Sequence, residues 1–93
     1  NRAGGWFTYR MSKAALNMGV RNVAIEWSRL RAGPIVAAIH PGTTLSALSA
    51  PFVGPERARP PAESAAAVLR VLDGLSPTQS GGFFNWDGRE LPW

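Results

Sequence analysis

The seven residues Pro34 to His40, PIVAAIH, are apolar almost without interruption, and Pro41-Gly42 halts them. A short continuous run with β-branched residues reads as a strand covered on both faces, the kind found in parallel sheets. Such a strand is not stable alone. It requires neighbouring strands beside it and helices above and below. This run therefore sets the fold class as α/β.

What flanks the run agrees. From Thr8 to Arg31 the spacing predicts one long helix. Leu16, Val20, Val23, Trp27 and Leu30 form one apolar stripe, and Met11, Ala15, Met18 and Ile25 form a second. A helix apolar on two sides is expected to be buried on two sides, between a sheet and a further surface such as another subunit. Gly33-Pro34 is expected to end it. Thr43 to Pro61 reads as a long loop rich in Ser, Thr, Pro and Ala, a type that is usually functional. Ala65, Val68, Leu69 and Leu72 predict a second helix over Pro61 to Asp73, with Pro61 in its first turn and Gly74 as a left-handed stop. Gly81 to Trp86 reads as a last strand, turned by Asp87-Gly88.

The order is helix, strand, loop, helix, strand. Two strands are too few for a sheet with helices on both faces. The chain is therefore expected to be the C-terminal part of a domain whose N-terminal half is absent.

Composition removes several alternatives. Ninety-three residues with 45% hydrophobic and 17% charged do not read as disordered. The chain has no cysteine and one histidine, which excludes disulfides, thiolate metal sites and a His-rich metal set. The net charge is +4, but the cations are scattered, so no nucleic-acid partner is expected. No apolar run reaches membrane-spanning length and no signal peptide is visible. A cytoplasmic protein without a membrane partner is the expectation.

One pair of residues suggests chemistry. Tyr9 stands four residues before Lys13, the only lysine, at the start of the long helix. Residues i and i+4 share a helix face. A phenol ordinarily titrates near pH 10. A nearby ammonium favours its ionised form, which moves a phenol toward the range useful for acid–base work. A compact ammonium also donates to sugar hydroxyls as a point charge, which the broad guanidinium of arginine does less well.

The stretch Tyr9-Arg10-Met11-Ser12-Lys13-Ala14-Ala15-Leu16-Asn17 closely resembles the active-site segment of the short-chain dehydrogenase/reductase family. A strand ending in His40-Pro41-Gly42, a loop, a helix and a last strand follow in that family's order. The closing Asp73-Gly74-Leu75, Ser80-Gly81-Gly82-Phe83-Phe84 and Trp86-Asp87-Gly88 resemble its C-factor-like branch.

The resemblance implies the C-terminal portion of a Rossmann-type doubly wound parallel sheet. It also implies an NAD(P)-dependent oxidoreductase that interconverts a small-molecule carbonyl and an alcohol. By resemblance Tyr9 is the acid/base. Lys13 assists it and binds the nicotinamide ribose hydroxyls. Pro41 and Gly42 form the turn beside the nicotinamide, and Thr44 and Ser46 occupy the positions around its carboxamide. The choice between NAD and NADP stays open. The loop over 43–61 is the expected substrate loop, and a homo-oligomer through the first helix is the expected assembly.

Departures from the family pattern leave a second reading. The glycine-rich nucleotide turn and the family's catalytic serine are not in these residues, and Ser12 lies inside the motif where it cannot replace that serine. A truncated or degenerate relative, acting as a non-catalytic interaction module, is the alternative.

Overall fold

The structure, a computed structural model, describes residues 4–30, 32–44 and 58–93. The expected order of elements is present, with one addition. Helix α1 spans Phe7–Trp27, strand β1 Ala38–His40, helix α2 Pro61–Gly74, strand β2 Phe83–Asn85 and strand β3 Glu90–Leu91. A single 3₁₀ turn at Pro77–Gln79 connects α2 to β2.

The PIVAAIH run does enter a sheet, but it is not buried as expected: Pro34, Ile35 and His40 are exposed and residues 36–39 are half-buried among the described residues. β1 pairs parallel with β2, with Ala38 opposite Phe83, Ile39 opposite Phe84 and His40 opposite Asn85. Two backbone bonds carry this association upstream: Gly81 N–H donates to Val36 O at 2.6 Å and Ala38 N–H to Gly82 O at 3.0 Å. Only Ala38 to His40 is regular strand, shorter than the expected Pro34 to His40. Around Val36 the partner is in part a side chain, because Val36 N–H donates to Ser80 Oγ at 3.0 Å. β3 was not expected. It pairs antiparallel with β2 after the Asp87-Gly88 turn, giving the order β1-β2-β3.

Alternation along β2 assigns one helix to each face. Phe83 lies beside α1 in a shared cleft, whereas Trp86 shares a hollow with Arg70 and Val71 of α2. Phe84, on the face opposite Phe83, is the most buried large side chain, 2% exposed. Ala67 and Val71 of α2, Ala58 just before it and Ala24 of α1 complete the buried apolar set. Parallel strands with a helix on each face form the C-terminal portion of a Rossmann-type sheet.

α1 differs from expectation in two ways. It stops at Trp27 rather than Arg31, because Ser28 Oγ donates to Ile25 O and the following amides close tighter i→i+3 turns, Arg29 to Glu26 and Leu30 to Trp27. It is also not buried on two sides. Ala24 is its only buried residue, while Leu16 and Met18 are more than half exposed. The apolar stripes exist, but the described residues of this chain provide nothing that covers them.

α2 begins with Pro61 in the first turn, as expected, and Glu63 there suits the positive end of the helix. Gly74 is not a left-handed stop. It is the last helical residue, and extended Leu75 ends the helix.

Candidate active site

Gly4, Gly5 and Trp6 all have positive φ, at 68°, 69° and 54°, so the chain enters α1 through a tight left-handed approach. For Trp6 that conformation costs about 1–2 kcal/mol. Its indole meets the Tyr9 ring edge-on, with centroids 6.1 Å apart. Tyr9 is thereby placed in the first turn of α1, and Lys13 one turn further along.

Tyr9 and Lys13 do share a face. Lys13 Nζ lies 5.6 Å from the centre of the Tyr9 ring. Both line one cleft of about 540 Å³ between α1 and the edge of β1. Leu16, Asn17 and Val20 continue the α1 wall, residues 37–42 form the opposite wall, and Phe83 closes the cleft from β2. Ser12 is occupied locally, donating from Oγ to Tyr9 O at 2.7 Å.

Pro41 and Gly42 line the same cleft as Tyr9 and Lys13. Gly42 adopts φ 76°, a conformation glycine takes without strain. Thr44 lies off the cleft, and its Oγ1 is 2.8 Å from Ser64 Oγ on α2. Ser46 lies outside the described residues, as does most of the expected substrate loop over 43–61. The loop's two ends meet: Thr44 forms an isolated parallel bridge with Arg59, and Arg59 N–H donates to Thr43 O at 2.9 Å.

Sequence reasoning missed three residues here. His40, at the end of β1, lines the cleft and accepts a hydrogen bond at Nδ1 from Gly42 N–H at 2.9 Å. Arg59 donates from Nη2 to Pro41 O at 2.7 Å. Trp86 stacks beneath that guanidinium, 3.6 Å from Arg59 Cζ to the ring centroid. The only available signal was His40, next to the Pro-Gly turn. Nothing in the sequence joined Arg59 and Trp86 to that turn.

The cleft thus brings together an apolar strand wall, one ammonium, one phenol and the Pro41-Gly42 turn. No family model matches the chain. Individual proteins do. It is 43% identical to C-signal of Myxococcus xanthus over its whole length, covering 52% of that protein. It is 37% identical to 1-hydroxy-2-glutathionyl-2-methyl-3-butene dehydrogenase of Rhodococcus sp. strain AD45, covering 40% of it. It superimposes on a solved NADPH-bound carbonyl reductase from chicken fatty liver with a TM-score of 0.84 at 33% identity, over 99% of this chain and 35% of that one. Over its whole length the chain is similar to members of the short-chain dehydrogenase/reductase family. It spans about half, or less, of the length of the relatives it matches. Among the described residues no helix is long and apolar enough to cross a membrane, and no group of His, Cys, Asp or Glu is arranged to hold a metal ion.

Proposed function

We propose that these residues are the C-terminal part of a single NAD(P)-dependent oxidoreductase domain, in which the cleft between α1 and β1 is the reaction site. The observation that carries this reading is the placement of Tyr9 and Lys13 on one wall of a cleft whose other wall ends in Pro41-Gly42. The cleft also fits the nicotinamide end of such a cofactor. Ala37, Ala38 and Ile39 offer an apolar bed for the ring, Lys13 offers an ammonium for ribose hydroxyls, and the Pro41-Gly42 turn ends the facing wall.

When bound, the nicotinamide supplies hydride to the carbonyl carbon, or accepts it in the reverse direction. Tyr9 gives its hydroxyl proton to the carbonyl oxygen as the alcohol forms, and takes it back in oxidation. Lys13 Nζ stands 5.6 Å from the centre of the Tyr9 ring on the same cleft wall. It also holds the ribose, which keeps phenol and reacting carbon in one geometry. The proposed substrate is a small carbonyl or alcohol. The family resemblance is what assigns Thr44 and Ser46 to the carboxamide; Thr44 lies off the cleft with its hydroxyl 2.8 Å from Ser64 Oγ, so only its backbone is offered for that contact. The exposed apolar surface of α1 supports cover by the N-terminal half of the domain and by a second copy of the protein.

The test is single-turnover carbonyl reduction by the full-length polypeptide at saturating cofactor. Tyr9→Phe should slow the chemical step at least about a hundredfold, the low end for removing a general acid–base group. An unchanged rate would remove Tyr9 from the mechanism. Intact mass of the native product separates this reading from a short interaction module, which would have the chain's own 10.0 kDa.

A further inference from the structure

The Pro41-Gly42 turn is held from outside the cleft by a group the reaction does not use. Arg59 Nη2 donates to Pro41 O at 2.7 Å, and the Arg59 backbone N–H donates to Thr43 O at 2.9 Å. The guanidinium lies over Trp86, with Cζ 3.6 Å from the ring centre. Both groups press on Gly42. A Cβ there would collide with Arg59 Nη2 and would sit 3.0 Å from Trp86 Cδ1 and 3.1 Å from Trp86 Nε1. From the other side, His40 Nδ1 accepts the Gly42 N–H. The turn is thus clamped between its own strand end and a cation–aromatic pair drawn from two distant segments.

We infer that Arg59, seated on Trp86, is a positioning residue that fixes the Pro41-Gly42 turn for the nicotinamide end of the cofactor. This inference rests on the function proposed above. A planar guanidinium both stacks on an indole and donates in its own plane, so it is suited to connect an aromatic ring to a carbonyl. Arg59 makes both contacts with one group and without a carboxylate partner among the described residues. With the pair removed, Pro41 O would lose its donor and Gly42 would gain open space on its outer side. The turn would then sample other conformations, and the wall facing the nicotinamide would lose its shape. The adenine end of the cofactor would be untouched, because Arg59 and Trp86 act only on this turn.

The experiment measures equilibrium binding by calorimetry on the full-length polypeptide. Two ligands are compared. One is NADPH or NADH, whichever the wild type binds. The other is the matching adenosine diphosphoribose, which lacks the nicotinamide, carrying a 2′-phosphate if NADPH is the one bound. Arg59→Met should weaken the dinucleotide about tenfold, the combined scale of one lost hydrogen bond and one lost cation–π contact. It should leave adenosine diphosphoribose within about twofold. Trp86→Leu should do the same, and the double variant should be no worse than about tenfold, because the two side chains act as one unit. Arg59→Lys should recover part of the loss. Retained adenosine diphosphoribose binding also shows that each variant folds. Equal weakening of both ligands would mean general destabilisation and would overturn the inference. Unchanged dinucleotide binding in Arg59→Met would overturn it too, while leaving the proposed function intact. If the wild type binds neither ligand, the proposed function itself fails and the role of Arg59 fails with it.

Discussion

The two helices are built from similar material and meet different fates. α2 buries Ser64, Ala67 and Val71 and packs on the side of the sheet that holds Phe84. α1 is longer and richer in large apolar side chains, yet buries only Ala24. Its Met11, Leu16, Met18 and Ile25 stand exposed. Hydrophobic patterning shows what a helix needs against it, not what the chain provides. α2 is thus anchored within these residues, although its Leu69 and Leu72 stay exposed. α1 serves among the described residues mainly as a cleft wall, and the proposed reacting groups sit on it.

The largest effect this contrast predicts is loss of all turnover. The isolated 93 residues should reduce no carbonyl with NADH or NADPH, because among the described residues the cleft is walled only by α1, residues 37–42 and Phe83. Measurable turnover by the isolated chain would show that the α1 side is already complete.

A second prediction sets the helices against each other. In the full-length polypeptide Phe84→Ala should cost about 3–5 kcal/mol, the usual range for emptying a buried aromatic site. Leu16→Ala should cost about 2–5 kcal/mol there if the missing half of the domain covers α1. In the isolated chain it should fall within about 0.5 kcal/mol, as at an exposed position. Denaturant titration of both lengths checks this. Equal costs for Leu16→Ala in both would break the account of what α1 lacks.

The smallest effect concerns the β2–β3 turn. Arg89 backbone N–H donates to Asp87 Oδ1 at 3.0 Å and Arg89 Nε to Oδ2 at 2.8 Å. The first of these is the main reason the Asp87 carboxyl titrates below its ordinary value of 3.8, with the Arg89 side chain and Asn85 adding to it. A carboxyl lowered in the folded state stabilises the fold above its unfolded value, and that contribution fades as pH falls through the lower, folded value. Thermal melts should lose a little stability on acidification below about pH 4, and Asp87→Asn should remove that dependence. An identical acid limb in both proteins would exclude Asp87 as its source.

How far the sequence could be read depended on how local each cause was. The continuous PIVAAIH run does pair as a parallel strand, but the expected cover on both faces is absent among the described residues, where Ala38 and Ile39 are half-buried and His40 is exposed. Tyr9 and Lys13 were placed on one face because helix geometry alone decides that. The end of α1 was misjudged by four residues, since a Ser28 hydroxyl on a backbone carbonyl competes with the helix and leaves little trace in periodicity. β3 escaped notice because Glu90-Leu91 is two residues long and has no pattern to read. The burial of α1 was overestimated because its partners are not among the described residues. Arg59 and Trp86 were invisible as site residues, because only the completed fold brings them over Pro41 and Gly42.

The most direct measurement is a crystal structure of the full-length polypeptide with its nicotinamide cofactor. The account predicts the nicotinamide between α1 and β1, against the Pro41-Gly42 turn. Lys13 Nζ should lie within hydrogen-bond reach of the ribose hydroxyls, and the Tyr9 hydroxyl should face the reacting side of the ring. A cofactor bound elsewhere, or a Lys13 ammonium turned to solvent while Tyr9 faces away from the ring, would contradict it.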